Sequence, residues 1–275
     1  MRAVSLHPDA LVVTSALMQV NCVIVRGRAA EGAETFAIDS PVLPEELDAL
    51  PALVEQAGFP APAGLLATHA DWDHVLGPLA FPQAPLGCAP STAERLAARP
   101  GEPQRELRDF DEDLSIERPR PLALGSVQSL PVPGRCELGE QELELHPTEG
   151  HTLDGMAVVV PWAGVLVAGD YLSSIELPAL NEGDRVDAYT ATLQRLRPLV
   201  QRAEHVVPGH GPVLDTARAL AVLEEDLAYL QGLRAAASGR PEGAAEAVEL
   251  PAGRRSRAQR KLHAANLAAL SPRRS

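Results

Sequence analysis

Apolar positions along the chain alternate between short runs typical of buried strands and longer stretches with helical spacing. Near the N-terminus, the runs at 12–13, 20–25 and 35–38 predict successive strands, with a turn at 27–32. Later apolar runs predict further strands at 64–67, 85–88, 142–146, 157–160, 165–168 and 204–207. Because helical stretches separate many of these runs, the pattern predicts an α/β protein.

Helical spacing is clearest over 44–57, where Leu47, Leu50 and Val54 recur on one face and Gly58 ends the pattern. Further helices are predicted at 92–98 with Ser91 as its cap, at 187–200 and at 215–233. Residues 99–135 are rich in proline, glycine and charged residues, which interrupts the pattern. We expect an irregular surface segment there, with a loop overhanging the site as the alternative.

The C-terminal part differs from the rest in charge. No acidic residue follows Glu249, and the basic residues after it are Arg254, Arg255, Arg257, Arg260, Lys261, Arg273 and Arg274. We therefore divide the chain into a main domain at 1–235 and a linker with a basic C-terminal helix and tail at 236–275. The helix predicted at 254–270 is expected to be solvated; the alternatives are a flap over the site or a docking face for an acidic surface.

Composition narrows the function classes. A chain of 275 residues with 45% hydrophobic residues can bury a large core, and its net charge of −13 argues against nucleic acid or an anionic membrane as partner. No N-terminal stretch resembles a signal peptide, and no apolar run approaches the roughly 18 residues that span a bilayer, so we predict a cytoplasmic location. The three cysteines form no CxxC pair and are expected to be reduced.

The densest chemistry lies in residues 68–74, where His69, Asp71, Asp73 and His74 follow the apolar run at 64–67. A buried strand that ends in such a loop delivers several ligands to one place. Imidazole nitrogens combined with carboxylate oxygens suit zinc, iron or manganese. This stretch therefore predicts a metal site.

Three later strands end in the same way, each with a glycine beside a residue that can bind a metal. The sequences are Gly150-His151, Gly169-Asp170 and Pro208-Gly209-His210-Gly211. Glycine permits the tight backbone that a ligand loop needs. Four strand ends that present ligands predict one site at one edge of a sheet.

These four motifs, in this order over about residues 10–215, resemble those of the metallo-β-lactamase-fold hydrolase superfamily, and its glyoxalase II-like branch most closely. The family's first motif is His-x-His-x-Asp-His. The resemblance implies a four-layer αββα sandwich with two metals at the edge between its sheets. It implies one metal held by His69, Asp71 and His151, a second held by Asp73, His74 and His210, and Asp170 bridging both.

The sequence departs from the family at Asp71, where a histidine is usual. Three carboxylates and a bridging hydroxide cancel the four positive charges of two divalent ions, whereas the usual pattern leaves one positive charge. A neutral cluster is a weaker Lewis acid. We therefore expect two divalent metal ions, with iron or manganese competing with zinc.

The function predicted is that of a dinuclear metal-dependent hydrolase, in which a metal-bridging hydroxide attacks a thioester, ester or lactone, with phosphodiesters ranked lower. Asp73 would carry a proton if one metal is absent, and Trp72 and Tyr171 are candidate pocket residues. The expected partner is a small-molecule substrate, and a homodimer is left open. Two alternatives remain: a mononuclear-iron oxidoreductase resembling persulfide dioxygenases, and a non-catalytic metal-binding or regulatory module.

Overall fold

The computed structural model describes residues 1–30, 32–180, 185–237 and 248–270. Within these ranges, two mixed sheets and seven α-helices are present. The strands of the first sheet lie side by side in sequence order: β1 (Arg2–His7), β2 (Ala10–Thr14), β3 (Asn21–Ala29), β4 (Gly32–Ile38), β5 (Gly64–Leu66), β6 (Leu86–Cys88) and β7 (Val127–Ser129). Strands β1 to β4 pair antiparallel, and β4 to β7 pair parallel.

The second sheet contains the later strands in the order β13-β12-β11-β10-β9-β8. Their bounds are β8 (Gly134–Leu138), β9 (Gln141–Pro147), β10 (Met156–Val160), β11 (Val165–Val167), β12 (His205–Val207) and β13 (Leu214–Asp215). Only β11 and β12 pair parallel among the described strands of this sheet.

The helices cover the outer faces of the two sheets. Those that follow the first-sheet strands are α1 (Pro44–Gln56), α2 (Gly77–Ala80), α3 (Pro90–Ala98) and α4 (Glu102–Leu114). Those that follow the second-sheet strands are α5 (Val186–Arg202), α6 (Thr216–Ala237) and α7 (Arg257–Leu270). No helix in the described ranges has the length and apolar character needed to cross a lipid bilayer.

Side-chain alternation along the strands produces the layers. In β3, Val25 faces the core between the sheets, whereas Ile24 faces the outer helices and packs with Leu47 of α1. In β10, Val158 faces the same central core and Val159 faces α5. Both faces of both sheets are therefore buried, and the four-layer αββα sandwich of the metallo-β-lactamase fold is confirmed.

The prediction of an irregular segment at 99–135 is wrong, because the structure has α4, β7 and the start of β8 there. Helix α4 buries only a narrow stripe that includes Leu107 and Asp111, and its other positions are mostly charged. Asp111 is buried because Arg118 pairs with it at 2.8 Å. Leu107, Phe110 and Leu114 do have helical spacing, but charged residues fill most of the other positions and made the segment resemble a loop. The contact of this helix with the core is partly ionic.

Smaller differences concern the ends of elements. Helix α3 begins at Pro90, so Ser91 lies inside the helix and does not cap it. Strand β3 continues to Ala29, which makes the predicted turn at 27–32 much shorter. Strands β1 and β13 were not predicted, and α6 continues to Ala237 into the predicted linker, most of which (238–247) lies outside the described residues.

Candidate metal centre

The predicted ligands come from four strand ends and meet at the edge between the two sheets. His69 and Asp71 lie in the loop after β5, and a 3₁₀ turn at Trp72–His74 follows at once. The other segments are the β9–β10 loop, the end of β11 and the end of β12, which contribute His151, Asp170 and His210. All the candidate histidines and Asp73 are buried, and Asp71 and Asp170 are partly exposed.

One group of ligand atoms is formed by His69, Asp71 and His151. The Oδ2 atom of Asp71 lies 3.5 Å from His69 Nε2 and 3.4 Å from His151 Nε2. The three residues can each offer one ligand atom, with these atoms within 4.8 Å of one another. Such a group has the donors and the spacing that a single divalent ion requires.

A second group is formed by Asp73, His74 and His210. His210 Nε2 lies 3.3 Å from Asp73 Oδ2 and 3.3 Å from His74 Nε2. The ligand atoms of this group also lie within 4.8 Å of one another. Among the described residues, the structure brings together three groups of possible ligand atoms: these two and a third formed by His69, His74 and Asp170. The first two have the membership that the sequence resemblance implies.

Asp170 lies between the two groups. Its Oδ2 atom is 3.2 Å from His151 Nε2 and 3.5 Å from His210 Nε2, and its Oδ1 atom is 3.2 Å from His74 Nε2. The backbone of Gly209 leaves room for this carboxylate, since a Cβ at position 209 would lie 2.0 Å from Asp170 Oδ1. Asp170 therefore has contacts to both groups, as a shared ligand needs.

The residues present fit a metal ion because several buried polar atoms lack another role. His69 Nε2, His151 Nε2 and Asp170 Oδ1 have no hydrogen-bond partner among the described residues. Buried polar atoms without partners are rare in folded proteins and call for an unseen ligand such as an ion. Here the orphaned atoms are metal donors that point at one another.

Charge in the metal-free cluster is strongly coupled. Burial by itself lowers the pKa of His151, but the Asp170 and Asp71 carboxylates outweigh it and raise that pKa to about 10. Burial likewise favours protonated Asp71 and Asp170, yet the surrounding imidazoles hold the pKa of both carboxyls well below the usual range. A bound cation takes the place of imidazole protons, so metal binding at this site should release protons.

Three histidines are oriented by partners at Nδ1, so that Nε2 faces the centre. His74 Nδ1 lies 3.0 Å from Asp39 Oδ2, and His69 Nδ1 lies 3.1 Å from Thr68 Oγ1, which itself donates to Asp39. His210 Nδ1 lies 3.0 Å from the backbone oxygen of Met18. Such partners fix the orientation and tautomer of a ligating imidazole.

Asp39 is a residue of the candidate site that the sequence interpretation missed. It is buried directly after β4, has a φ of 57°, and also accepts a hydrogen bond from the Thr68 backbone N–H at 2.8 Å. The signal was available, because Asp39 is another carboxylate directly after a strand. Asp39 was nevertheless not recognised as a site residue, because one isolated aspartate after a strand is usually a turn residue.

The environment of Asp71 contains a second residue that was missed. Arg95 of α3 places Nη1 2.8 Å from Asp71 Oδ1 and 2.9 Å from Asp154 Oδ1. Asp154 is buried in the β9–β10 loop, and its Oδ2 accepts a hydrogen bond from the Ala70 backbone N–H at 2.9 Å. The two ligand loops are therefore tied together behind the first group of ligands.

A cavity of about 280 Å³ opens onto the candidate ligands. Trp72 is at its wall and also packs against Phe110 of α4, with ring centroids 4.4 Å apart. Tyr171, expected in the pocket, does not line this cavity: it is 3% exposed, and its hydroxyl accepts a hydrogen bond from the His151 backbone N–H at 3.0 Å. Tyr189 of α5 lines the cavity instead, and its hydroxyl donates to the Asp170 backbone oxygen at 3.0 Å.

Helix α7 supports the apolar wall of this cavity, which Leu177, Pro178, Ala179 and Leu262 help to form. Gln259 Oε1 accepts a hydrogen bond from the Leu177 backbone N–H at 2.7 Å. Asn266 accepts one from Leu180 N–H at 3.0 Å and donates one to Pro178 O at 2.7 Å. The C-terminal helix therefore fixes the backbone of the wall with buried side chains.

The expectation of a wholly solvated basic helix also fails at Arg254, just before α7. Arg254 is 1% exposed, forms an ion pair with buried Asp226 of α6, and donates to the Glu176 backbone oxygen at 2.9 Å. Arg257 and Arg260 remain exposed. Arg254 thus pairs with acidic residues of the protein itself, whereas a docking face or flap role for the rest of the basic segment stays a prediction.

A four-layer αββα sandwich, with imidazoles and carboxylates clustered at the edge between its sheets, defines a class of metal-binding folds. A family model described as the metallo-beta-lactamase superfamily matches residues 44–210 of the sequence. The chain belongs to this superfamily, most of whose members are metal-dependent hydrolases and which typically binds divalent metals. No curated protein matches the sequence.

Solved structures with the same fold are distant in sequence. A metallo-beta-lactamase family protein from Thermus thermophilus is 18% identical with a TM-score of 0.66, covering 96% of this chain and 93% of its own. A beta-lactamase domain protein from Burkholderia ambifaria is 17% identical with a TM-score of 0.64, covering 98% and 86% respectively. A metallo-beta-lactamase from Pontibacter korlensis is 19% identical with a TM-score of 0.57, covering 81% and 98%. At these identities the likeness concerns the fold alone.

Proposed function

We propose that the protein is a dinuclear metal-dependent hydrolase. The observation that carries this proposal is the pair of complete three-residue ligand groups with Asp170 in contact with both. When bound, two divalent ions supply Lewis-acid activation of the substrate and an activated water molecule. Zinc is one candidate, and iron or manganese are the others, because Asp71 adds a carboxylate to the donor set.

Each side chain has a separate task in this proposal. The first ion would be held by His69, Asp71 and His151, the second by Asp73, His74 and His210, and Asp170 would serve both. Asp73 faces the cavity, and with one ion absent it can accept a proton. Asp39 and Thr68 keep the imidazoles in place, which preserves the site between turnovers.

The cavity favours an acyl substrate. Its apolar wall, with Leu177 and Leu262, can exclude water and bury the acyl chain of a thioester, ester or lactone. No lysine or arginine is among the described residues that line it, so a phosphodiester would have only the two ions as cationic partners, and we rank it lower. The likeness of the motifs to the glyoxalase II-like branch agrees with acyl transfer to water, and membership of that branch stays a prediction.

The test begins with metal analysis of protein purified without added metal, followed by a panel of generic esters, thioesters, lactones and phosphodiesters on the same preparation. We expect about two metal ions per chain and hydrolysis of acyl substrates. The Asp170→Asn variant should lose at least about 100-fold in kcat/KM, since it weakens a ligand of both groups. Asp48→Asn, which changes a carboxylate that is 55% exposed on α1, is the matched control and should retain activity.

The two alternatives give different results in the same samples. A mononuclear-iron oxidoreductase would bind one iron and consume oxygen with a persulfide substrate. A metal-binding or regulatory module would retain metal and turn over none of the panel. The completeness of the second ligand group, Asp73, His74 and His210, favours a dinuclear centre over the mononuclear-iron alternative. Turnover of the panel separates the hydrolase from the binding module.

A further inference from the structure

The two carboxylate oxygens of Asp71 have different partners. Oδ1 accepts from Arg95 Nη1 at 2.8 Å. Oδ2 faces His69 Nε2 at 3.5 Å and His151 Nε2 at 3.4 Å. One oxygen is thus directed at the first ligand group while an arginine occupies the other.

Arg95 is held rigidly in this position. Its side chain is 12% exposed, and the same Nη1 also contacts Asp154 Oδ1 at 2.9 Å. Asp154 is fixed in turn by the Ala70 backbone N–H, and Glu102 of α4 lies 3.6 Å from Arg95 Nε. Three carboxylates therefore lie around the guanidinium, and the contact with Asp71 is part of this cluster of ion pairs.

We propose that Arg95 is a positioning residue that makes Asp71 act as a one-atom ligand, and this inference rests on the proposed dinuclear centre. A free carboxylate can chelate an ion with both oxygens, whereas the histidine usual at this position offers one nitrogen. Because Arg95 Nη1 contacts Oδ1, Asp71 would present only Oδ2 to an ion, and the first ligand group would then contribute three ligand atoms in place of four. The guanidinium also offsets the negative charge that Asp71 adds to the cluster.

Cobalt(II) is the probe that tests this inference, because four- and five-coordinate cobalt absorbs visible light more strongly than six-coordinate cobalt. The metal-free protein is loaded with cobalt, the bound cobalt per chain is measured, and visible spectra of the wild type and Arg95→Met are compared. We expect a loss of visible absorption per bound cobalt in Arg95→Met, since Asp71 can then bind through both oxygens. Arg95→Lys keeps a charged donor for Oδ1 and should retain most of the wild-type absorption.

A double-mutant cycle shows whether the effect passes through Asp71. In the Asp71→His variant, position 71 has no second carboxylate oxygen that could bind cobalt once Arg95 is removed. Adding Arg95→Met to this variant should therefore leave the cobalt spectrum unchanged. Thermal unfolding of each metal-free variant confirms folding; if Arg95→Met does not fold, Arg95→Gln replaces it with the same expectation, because it removes the charge but keeps a polar side chain.

The outcomes separate this inference from the proposed function. A wild-type protein that takes up no cobalt overturns both. Two cobalt ions per chain with identical spectra for the wild type and Arg95→Met overturn the role of Arg95 alone. A spectral change of equal size in the wild-type and Asp71→His backgrounds does the same, since it would show an effect that does not depend on Asp71.

Discussion

At the scale of single residues, the candidate metal centre depends on glycines that leave room for the ligands and on side chains that orient them, as well as on the donor atoms. Gly209 lies against Asp170, and Gly150 has a φ of 130° at a place where a Cβ would lie 2.3 Å from Tyr189 Cα. A side chain at either position would enter occupied space. Ligand geometry at this site is therefore set partly by the absence of a Cβ.

The Gly209→Ala variant should lose the shared ligand position. Its Cβ would lie 2.0 Å from Asp170 Oδ1 and 3.0 Å from His74 Cε1, so the carboxylate must move. We expect metal affinity to fall at least about 10-fold and stability to fall by about 1–3 kcal/mol. Metal titration and thermal unfolding measure both effects. Gly253→Ala, whose Cβ would meet its nearest atom at 3.5 Å, is the control, and equal behaviour of the two variants would contradict the prediction.

Stability of the metal-free protein should depend on pH through His151. Its pKa is about 10 in the folded chain, against an ordinary value of 6.5 that applies in the unfolded chain. A raised pKa stabilises the fold fully below pH 6.5, and this stabilisation disappears as the pH rises towards 10, by about 1.4 kcal/mol per pH unit at most. Urea unfolding of chelator-treated protein between about pH 6 and 10 should show this fall.

The His151→Gln variant tests the assignment, because glutamine cannot gain a proton. Its unfolding free energy should decrease less over the same pH range than that of the wild type. The remaining fall belongs to His74 and His210, whose pKa values are also raised well above normal by nearby carboxylates despite burial. Parallel pH profiles for the two proteins would show that His151 does not contribute.

At the scale of elements, α7 is joined to the cavity wall by polar side chains that are themselves buried. Gln259 and Asn266 satisfy backbone groups of the segment that precedes residue 181, and Arg254 does the same for Glu176. Leu262 reaches the cavity from the same helix. The helix is therefore part of the pocket, and substitutions in it should affect substrate binding as well as stability.

The Asn266→Ala variant should separate these two effects. It leaves Leu180 N–H and Pro178 O without their side-chain partner, which costs about 2 kcal/mol of unfolding free energy. We expect a lower thermal midpoint and a higher KM with a smaller change in kcat, because the wall moves while the ligands stay in place. Arg257→Ala, at an exposed position of α7, is the control and should match the wild type in both measurements.

At the scale of the whole molecule, the ligands join the two halves of the sandwich. His69, Asp71, Asp73 and His74 follow a strand of the first sheet, whereas His151, Asp170 and His210 follow strands of the second. Each proposed ion takes ligands from both halves. Bound metal should therefore cross-link the sheets as well as serve the chemistry.

Chelation should lower the stability of the whole fold in one cooperative step. A metal ion at about 100 times its dissociation constant stabilises the native state by about 2.7 kcal/mol. We expect differential scanning calorimetry to show a single transition that moves to lower temperature on chelator treatment and recovers when metal is returned. The Asp170→Asn variant should respond much less, and an unchanged wild-type midpoint would argue against metal shared by the two halves.

The ligand segments could be predicted from the sequence because each is a local pattern: a short apolar strand followed by donors, with a glycine beside the donor in three of the four segments. The same locality made the α/β class and most element positions predictable. The four-layer order followed from resemblance, since no short-range pattern says which strands become neighbours. Helix α4 was not predicted because charged residues dominate its composition, although Leu107, Phe110 and Leu114 have helical spacing. Its buried Asp111–Arg118 pair is a further contact that apolar periodicity cannot reveal.

The way those ligands are held depends on long-range packing. Arg95 and Asp154 are 59 positions apart, and Asn266 lies 86 positions from Leu180. At these separations no local sequence pattern predicts either contact. Such contacts arise because packing of α3 and α7 brings charged and amide groups to places where burial requires a partner. The sequence alone therefore identifies the donor residues. Their orientation and the shape of the adjoining pocket depend on the tertiary structure.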